Sequence, residues 1–249
     1  MTDQTDTIVR GEGAALVFLH GAGVDKDLWH PQVAAFSKAY KVVVPTLPGH
    51  GNLEAVPDVP AMAEAVRAEL TTLGIGRYAL VGLSLGGMVA LEMAGRWPND
   101  VTHLVMIESV PSVTDSRAAK AVAERLLSLL RLVSPRLLAA LPARWMGAKT
   151  EDTGRYLKAA LRRMSRANTV TVLKAALAYD GRRHLKQLSM PTMVMVAEKN
   201  TSIHDHARRM ADAVDGCRFV TIPGAGHIAN RDAPRFVNRT IQVFLKDQL

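Results

Sequence analysis

Residues 81–87 read Val-Gly-Leu-Ser-Leu-Gly-Gly, and this stretch decides how the rest of the 249-residue chain is read. Gly82 and Gly86 flank Ser84 in the pattern G-x-S-x-G. An apolar run from Tyr78 to Leu83 precedes the serine, and a helical pattern from Leu85 to Trp97 follows it. In that setting the motif predicts a tight strand-to-helix turn, which strains the serine backbone and lifts the hydroxyl out of a sheet. Glycines two residues to either side let strand and helix backbones approach. The turn also sets the backbone N–H of Leu85 at a helix N-terminus, facing any oxyanion that forms. Small-residue turns between strand and helix also arise for packing alone, but this context points to Ser84 as a nucleophile.

Outward from that turn the same alternation repeats. Ala14 to Leu19, Val42 to Leu47, Thr102 to Ile107, Thr192 to Ala197 and Arg218 to Ile222 are short apolar runs. Several are rich in Val and bounded by Gly or Pro, which predicts strands buried on both faces of a parallel sheet. Helical patterns lie between them at Ala61 to Leu73, His204 to Val214 and Ala233 to Leu245. Alternating strand and helix predicts an α/β fold with right-handed crossovers. Between Val110 and Ser189 the alternation stops. That stretch is Leu- and Arg-rich, bracketed by Pro111 and Pro191, with Leu126, Leu127, Leu130 and Leu137, Leu138, Leu141 at helical spacing. The expected organisation is a core over residues 1–110, a helical cap over 111–189, and the rest of the core over 190–249. No internal repeat or low-complexity tract interrupts it.

Composition bounds the function. Apolar residues make up 48% of the chain, enough for a sizeable core. Cys217 is the single cysteine, so no internal disulfide forms. The start, MTDQTDTIVR, carries acids and no apolar run, unlike a secretory signal. The apolar stretch from Ala79 to Leu91 is too short to span a bilayer. The expectation is a cytoplasmic protein with no stable membrane insertion. The formal charge of +8 is uneven: residues 117–186 hold 16 Lys and Arg against 4 Asp and Glu, a net +12. A solvated helical surface accounts for this. A surface that attracts anionic substrates or phospholipid headgroups is the other reading. Few aromatics and no recognition motif argue against nucleic acid. No His, Cys and Asp cluster has metal-binding spacing, and no cofactor is expected.

Four segments together, FLHGAG (18–23), LPGHG (47–51), VGLSLGG (81–87) and IPGAGHIANRDAP (222–234), resemble the α/β-hydrolase superfamily over nearly the whole chain. The likeness is greatest to small bacterial esterases, enol-lactonases and cofactor-free perhydrolases. It implies an α/β-hydrolase fold, with a mostly parallel central sheet flanked by helices and a helical cap inserted between two strands. It makes His227, after the last strand, the base that activates Ser84, since serine is too weak an acid to ionise unaided. The order, nucleophile first and histidine last, agrees. The resemblance also makes the N–H of Ala22 the second oxyanion donor beside Leu85, and Trp29 and Met88 pocket residues. His20 is expected to order its loop, while His50, His204 and His206 are expected at the surface or in turns. Thr46 replaces an Asp common in relatives at a structural position.

The acid is the anomaly. Most such proteins carry Asp in the turn after the strand Thr192 to Ala197, and here that place holds Asn200. An amide can orient a histidine but supplies no charge to its imidazolium. The superfamily has a second location, the end of the strand after the nucleophile helix, where this chain has Glu108. A glutamate directly after an apolar strand is otherwise an expensive place for a charge. Glu108 is therefore the expected acid, with Asp205 next, and Glu198 or no strong acid behind it. The resulting expectation is a serine hydrolase of small carboxylic esters, lactones or thioesters. Perhydrolysis, acyl transfer or C–C bond hydrolysis would use the same residues. A slow-turnover ligand-sensing protein is the rival of another class. The basic cap makes a carboxylate- or phosphate-bearing substrate a second expectation, and the oligomeric state is left open.

Overall fold

The computed structural model describes residues 6–114, 116–129 and 139–246. Leu130, Leu137 and Leu138 of the helical leucine pattern lie outside them. Seven strands form one sheet: β1 (Ile8–Arg10), β2 (Ala15–Leu19), β3 (Lys41–Val44), β4 (Tyr78–Leu83), β5 (Val101–Ile107), β6 (Thr192–Ala197) and β7 (Arg218–Ile222). Their order is β1-β3-β2-β4-β5-β6-β7. β1 runs antiparallel to β3, and every other pair is parallel. The chain first steps outward from β2 to β3, then returns to place β4 on the other side of β2. Such a reversal opens a crevice at the carboxyl ends of the strands. The loops after β2 and β4 flank it.

Period-two alternation divides the sheet between two cores. Val17 and Leu19 of β2 face the core that contains helix α2 (Val59–Thr72) and α3 (Leu85–Arg96). Leu16 and Phe18 face the core under α1 (His30–Phe36) and α9 (Pro234–Lys246). β4 and β6 are buried throughout, as Val-rich central strands should be. β7 departs from that expectation: it is the edge of the sheet and keeps partly exposed residues. The short β1 and α1 carry too few residues for a periodic signal to stand out.

Between β5 and β6 the described residues form helices α4 (Arg117–Leu129), α5 (Glu151–Arg163) and α6 (Arg166–Ala178), with short 3-10 turns and no strand. A single bridge, Ser112 to Asp180, closes the base of this segment. It is not a separate globule. Leu157 and Ala160 of α5 join the core on one side of the sheet, and Val172 and Ala175 of α6 join the core on the other. Polar staples add to this. Tyr156 donates to Asp25 at 2.9 Å, and Arg163 pairs with the same carboxylate. At the exit, buried Glu92 of α3 accepts from Arg183 at 3.0 Å and contacts His184 Nε2 at 2.9 Å. The remaining helices are α7 (His204–Asp212) and α8 (Ala229–Asp232). No described helix is long and apolar enough to cross a membrane.

Candidate active site

The turn at Ser84 has the strain its sequence implies. Ser84 adopts φ 54° and ψ −119°, outside the ordinary L-residue regions. Its N–H donates to Ile107 O at 2.9 Å, and its carbonyl accepts from Ser109 Oγ at 2.8 Å. The flanking glycines are obligatory here. A Cβ on Gly82 would lie 2.2 Å from Gly86 O, and one on Gly86 would lie 2.0 Å from Leu19 O. Among the described residues the only other non-glycine with positive φ is Glu108, at 52°. Each such conformation costs on the order of 1–3 kcal/mol, which the surrounding packing must offset. Both strained residues stand at the carboxyl ends of neighbouring strands.

Glu108 follows β5 and is 2% exposed. A buried carboxylate is tolerable only when its oxygens are satisfied. Oε1 accepts the N–H of Ala197 at 2.6 Å. Oε2 accepts from His227 Nδ1 at 3.2 Å and from the amide of Asn200. Asn200 Nδ2 lies 3.5 Å from His227 Nδ1. Glu108, Asn200 and His227 thus meet at one point. The two other acids considered do not touch His227. Asp205 is exposed in the first turn of α7, and Glu198 is exposed, accepting from Gly224 N at 2.7 Å and pairing with Lys199.

His227 sits in the loop after β7. Asp232 braces that loop, accepting Gly226 N–H at 3.0 Å. The same carboxylate accepts the N–H of Lys149 at 3.0 Å and of Thr150 at 3.2 Å, at the start of α5. Asn230 donates to Leu28 O at 3.1 Å and to Gln32 Oε1 at 3.1 Å, tying this loop to the one after β2. Sequence reasoning missed Asp232 and Asn230. Their partners lie about 80 and 200 positions away along the chain, so no local pattern announces them.

His20 orders its loop as expected. Its Nδ1 donates to Gly21 O at 2.9 Å, and its Nε2 accepts Leu47 N–H at 3.0 Å. Full burial drives it down to about 3, so it is neutral. His50 lies in a turn, one of the two places expected for it, but it is fully buried there, and Nε2 accepts Gly23 N–H at 3.3 Å. Burial lowers its proton affinity as well. Its imidazole meets His20 edge to face, with ring centroids 4.7 Å apart. These contacts fix the backbone at Gly21 and Ala22 beside the nucleophile, where a Cβ on Gly21 would lie 3.4 Å from Ser84 Cβ. Thr46 is structural, donating to the Asp6 carbonyl at 2.6 Å.

Ser84 and His227 both open onto a cavity of about 250 Å³. Gly21, Ala22, Val24, Leu83 and Ile228 line its core side. Leu141, Met146, Leu157 and Leu161 line it from the inserted segment. Trp29 and Met88 are not among the residues that line this cavity. Trp29 is fully buried against Phe18, with ring centroids 4.9 Å apart, and Met88 packs into the core beneath α3. No Lys or Arg lines the cavity among the described residues. No group of three or more His, Cys, Asp or Glu is arranged to hold a metal ion among those residues.

A profile of the alpha/beta hydrolase family matches residues 16–240. An (E)-2-((N-methylformamido)methylene)succinate hydrolase of Acinetobacter baylyi is 26% identical, over 95% of this chain and 92% of that protein. A thermophilic esterase from Thermogutta terrifontis superposes with a TM-score of 0.86 at 23% identity, covering 97% of this chain and 92% of its own. The enol-lactonase from Burkholderia xenovorans LB400 gives a TM-score of 0.79 at 24% identity, covering 96% and 95%. With the fold, the strained serine turn and the family profile in agreement, the chain belongs to the alpha/beta hydrolase family.

Proposed function

We propose that the protein is a serine hydrolase of compact, uncharged carboxylic esters, lactones or thioesters. Ser84 attacks the acyl carbon while His227 takes the hydroxyl proton. Glu108 orients the imidazole and stabilises its charged form. The N–H groups of Leu85 and Ala22 receive the oxyanion, and the inserted helices act as a cap over the acyl group. His227 then returns the proton to the leaving group, and water releases the acid from the acyl-enzyme.

The observation that carries this reading is one apolar cavity bordered by both Ser84 and His227, the latter with its Nδ1 on a buried carboxylate. An acceptor on Nδ1 fixes the tautomer, so that Nε2 is the nitrogen free to accept a proton. The apolar lining supports an uncharged acyl group over the carboxylate- or phosphate-bearing substrate that the cap's charge suggests. A cavity near 250 Å³ is smaller than most drug-sized ligand pockets, which supports a small substrate.

A fluorophosphonate probe should add mass to the peptide containing VGLSLGG. A panel of p-nitrophenyl esters should show steady turnover, highest for short neutral acyl groups. A burst followed by little turnover would favour the slow ligand-sensing alternative. An unlabelled Ser84 in folded protein would overturn the hydrolase reading.

A further inference from the structure

Asn200 occupies the turn where a carboxylate is usual, and its surroundings give the amide a task. Its Nδ2 donates to Glu108 Oε2, the oxygen that also faces His227 Nδ1. Its Oδ1 accepts from Ser202 Oγ at 2.9 Å. The hydroxyl holds the amide in one sense, oxygen toward Ser202 and N–H toward Glu108. Turned over, the amide would set oxygen against carboxylate. Glu108 therefore has three donors: a backbone N–H on Oε1, and an amide and an imidazole sharing Oε2.

We infer that Asn200 is a positioning residue that keeps a single negative charge at the Glu108–His227 pair and limits how strongly that charge holds the imidazolium proton. This rests on the reading of Ser84, His227 and Glu108 as a catalytic set. The electrostatic argument is short. A donor to the carboxylate stabilises its ionised form and spreads its charge. The amide N–H and the imidazole N–H thus share the charge of one oxygen, which weakens the hold of Oε2 on either donor. A carboxylate in the Asn200 position would do the opposite. It would take the donor away from Oε2 and set a second negative charge beside Glu108 and the imidazole.

The other charged and titratable groups around this point do not replace Asn200. His204, at the start of α7, turns its Nε2 to Ala197 O at 2.9 Å. Glu198 and Lys199 pair with each other at the surface, and Asp205 is exposed. The Lys149 side chain stands over Gly226, and Asp232 is committed to backbone N–H groups.

The test compares wild type with Asn200→Ala, Asn200→Asp and Ser202→Ala. Two readouts are taken: kcat/KM against pH, and the titration of the His227 imidazole by NMR, which needs no turnover. Asn200→Ala should lower kcat about tenfold and move both the acid limb and the imidazole midpoint to higher pH. Asn200→Asp should move them further, by roughly one pH unit or more. Ser202→Ala, which frees the amide to turn, should move them least, in the same direction. If Asn200→Asp does not fold, the other two variants decide the matter. Wild-type and variant titrations that superimpose would overturn the inference. A wild type that neither labels at Ser84 nor turns over esters would instead overturn the hydrolase reading, while the imidazole titration would still decide the role of Asn200.

Discussion

The loops that carry His20 and His227 both leave the carboxyl ends of strands of one sheet and give their histidines opposite surroundings. His20 is sealed, and both its nitrogens meet neutral backbone groups. His227 is half-buried, has a carboxylate on Nδ1 and borders a cavity. Burial without a charge makes a histidine a neutral strut. A buried carboxylate on one nitrogen, with space beside the other, equips it as a base. The difference lies in the partners and not in the residue, and each partner can be removed.

The largest effect should come from taking away the charge that sets His227 apart. Glu108→Gln preserves shape and should lower kcat by on the order of 10³ to 10⁴. Steady-state hydrolysis of a short p-nitrophenyl ester, with circular dichroism to show that the variant folds, checks it. Placing Asn200→Asp on that background restores a carboxylate within reach of the same nitrogen and should recover part of the loss. A folded Glu108→Gln enzyme of nearly full activity would move the search to Asp205.

The strut should reveal itself in stability. Burial holds His20 at about 3, far below its value in an unfolded chain. The unfolded state therefore binds the extra proton first as pH falls. The neutral-His20 contribution is complete above about pH 6.5 and is lost progressively between there and about pH 3. At pH 5 the loss should be about 2 kcal/mol. Buried His50, lowered by the same cause, adds in the same direction. Guanidinium unfolding at pH 7 and pH 5 measures the difference. His20→Asn should lower stability at both pH values but shrink the gap between them, and an unchanged gap would assign the acid sensitivity elsewhere.

Both loops were partly legible in the chain, and for a physical reason. Gly82, Ser84 and Gly86 announce themselves because the turn they make has few sequence solutions: a Cβ at either glycine collides with backbone. Central strands were legible because burial on both faces demands continuous apolar runs, and β4 and β6 match their expected bounds. Glu108 stood out as a charge at the end of such a run. What stayed hidden depends on distant partners. Part of the pocket lining comes from Leu and Met side chains of the inserted segment, whose helical spacing tells that they pack but does not single out which of them face the cavity. The pairing of Asp232 with Lys149 and Thr150 is a tertiary fact with no local signature.

That pairing provides a smaller test of how the His227 loop differs from the His20 loop: Asp232 holds backbone N–H groups of the inserted segment, whereas Asp25 of the His20 loop holds the side chains of Tyr156 and Arg163. Asp232→Ala orphans three N–H groups, at Lys149, Thr150 and Gly226. Stability should fall by about 1–3 kcal/mol, and kcat/KM by about tenfold, as the loop and the start of α5 loosen together. Thermal melts and ester kinetics read the two effects separately. Lost stability with unchanged kinetics would show that the brace holds the fold and not the site.

The smallest effect expected concerns the charge of the inserted segment. Its net +12 is the most unusual number in the composition, yet the cavity beneath it has no cationic lining among the described residues. Several of its arginines already have partners: Arg163 with Asp25, Arg183 with Glu92, and Arg155 with Asp152. Charges of the described residues that do not line the cavity act on a substrate through solvent, by steering, and salt screens that over a Debye length of roughly 10 Å at 0.1 M. For a neutral ester, kcat/KM should therefore change less than about twofold between low and high salt. For an ester carrying a carboxylate it should fall with salt by a few-fold, through the encounter rate and not through kcat. Stopped-assay kinetics on a matched pair of esters checks both. Equal responses would reduce the charge to a solubility feature of the surface. A drop confined to kcat for the anionic ester would place a cation at the reacting groups and overturn the choice of an uncharged substrate.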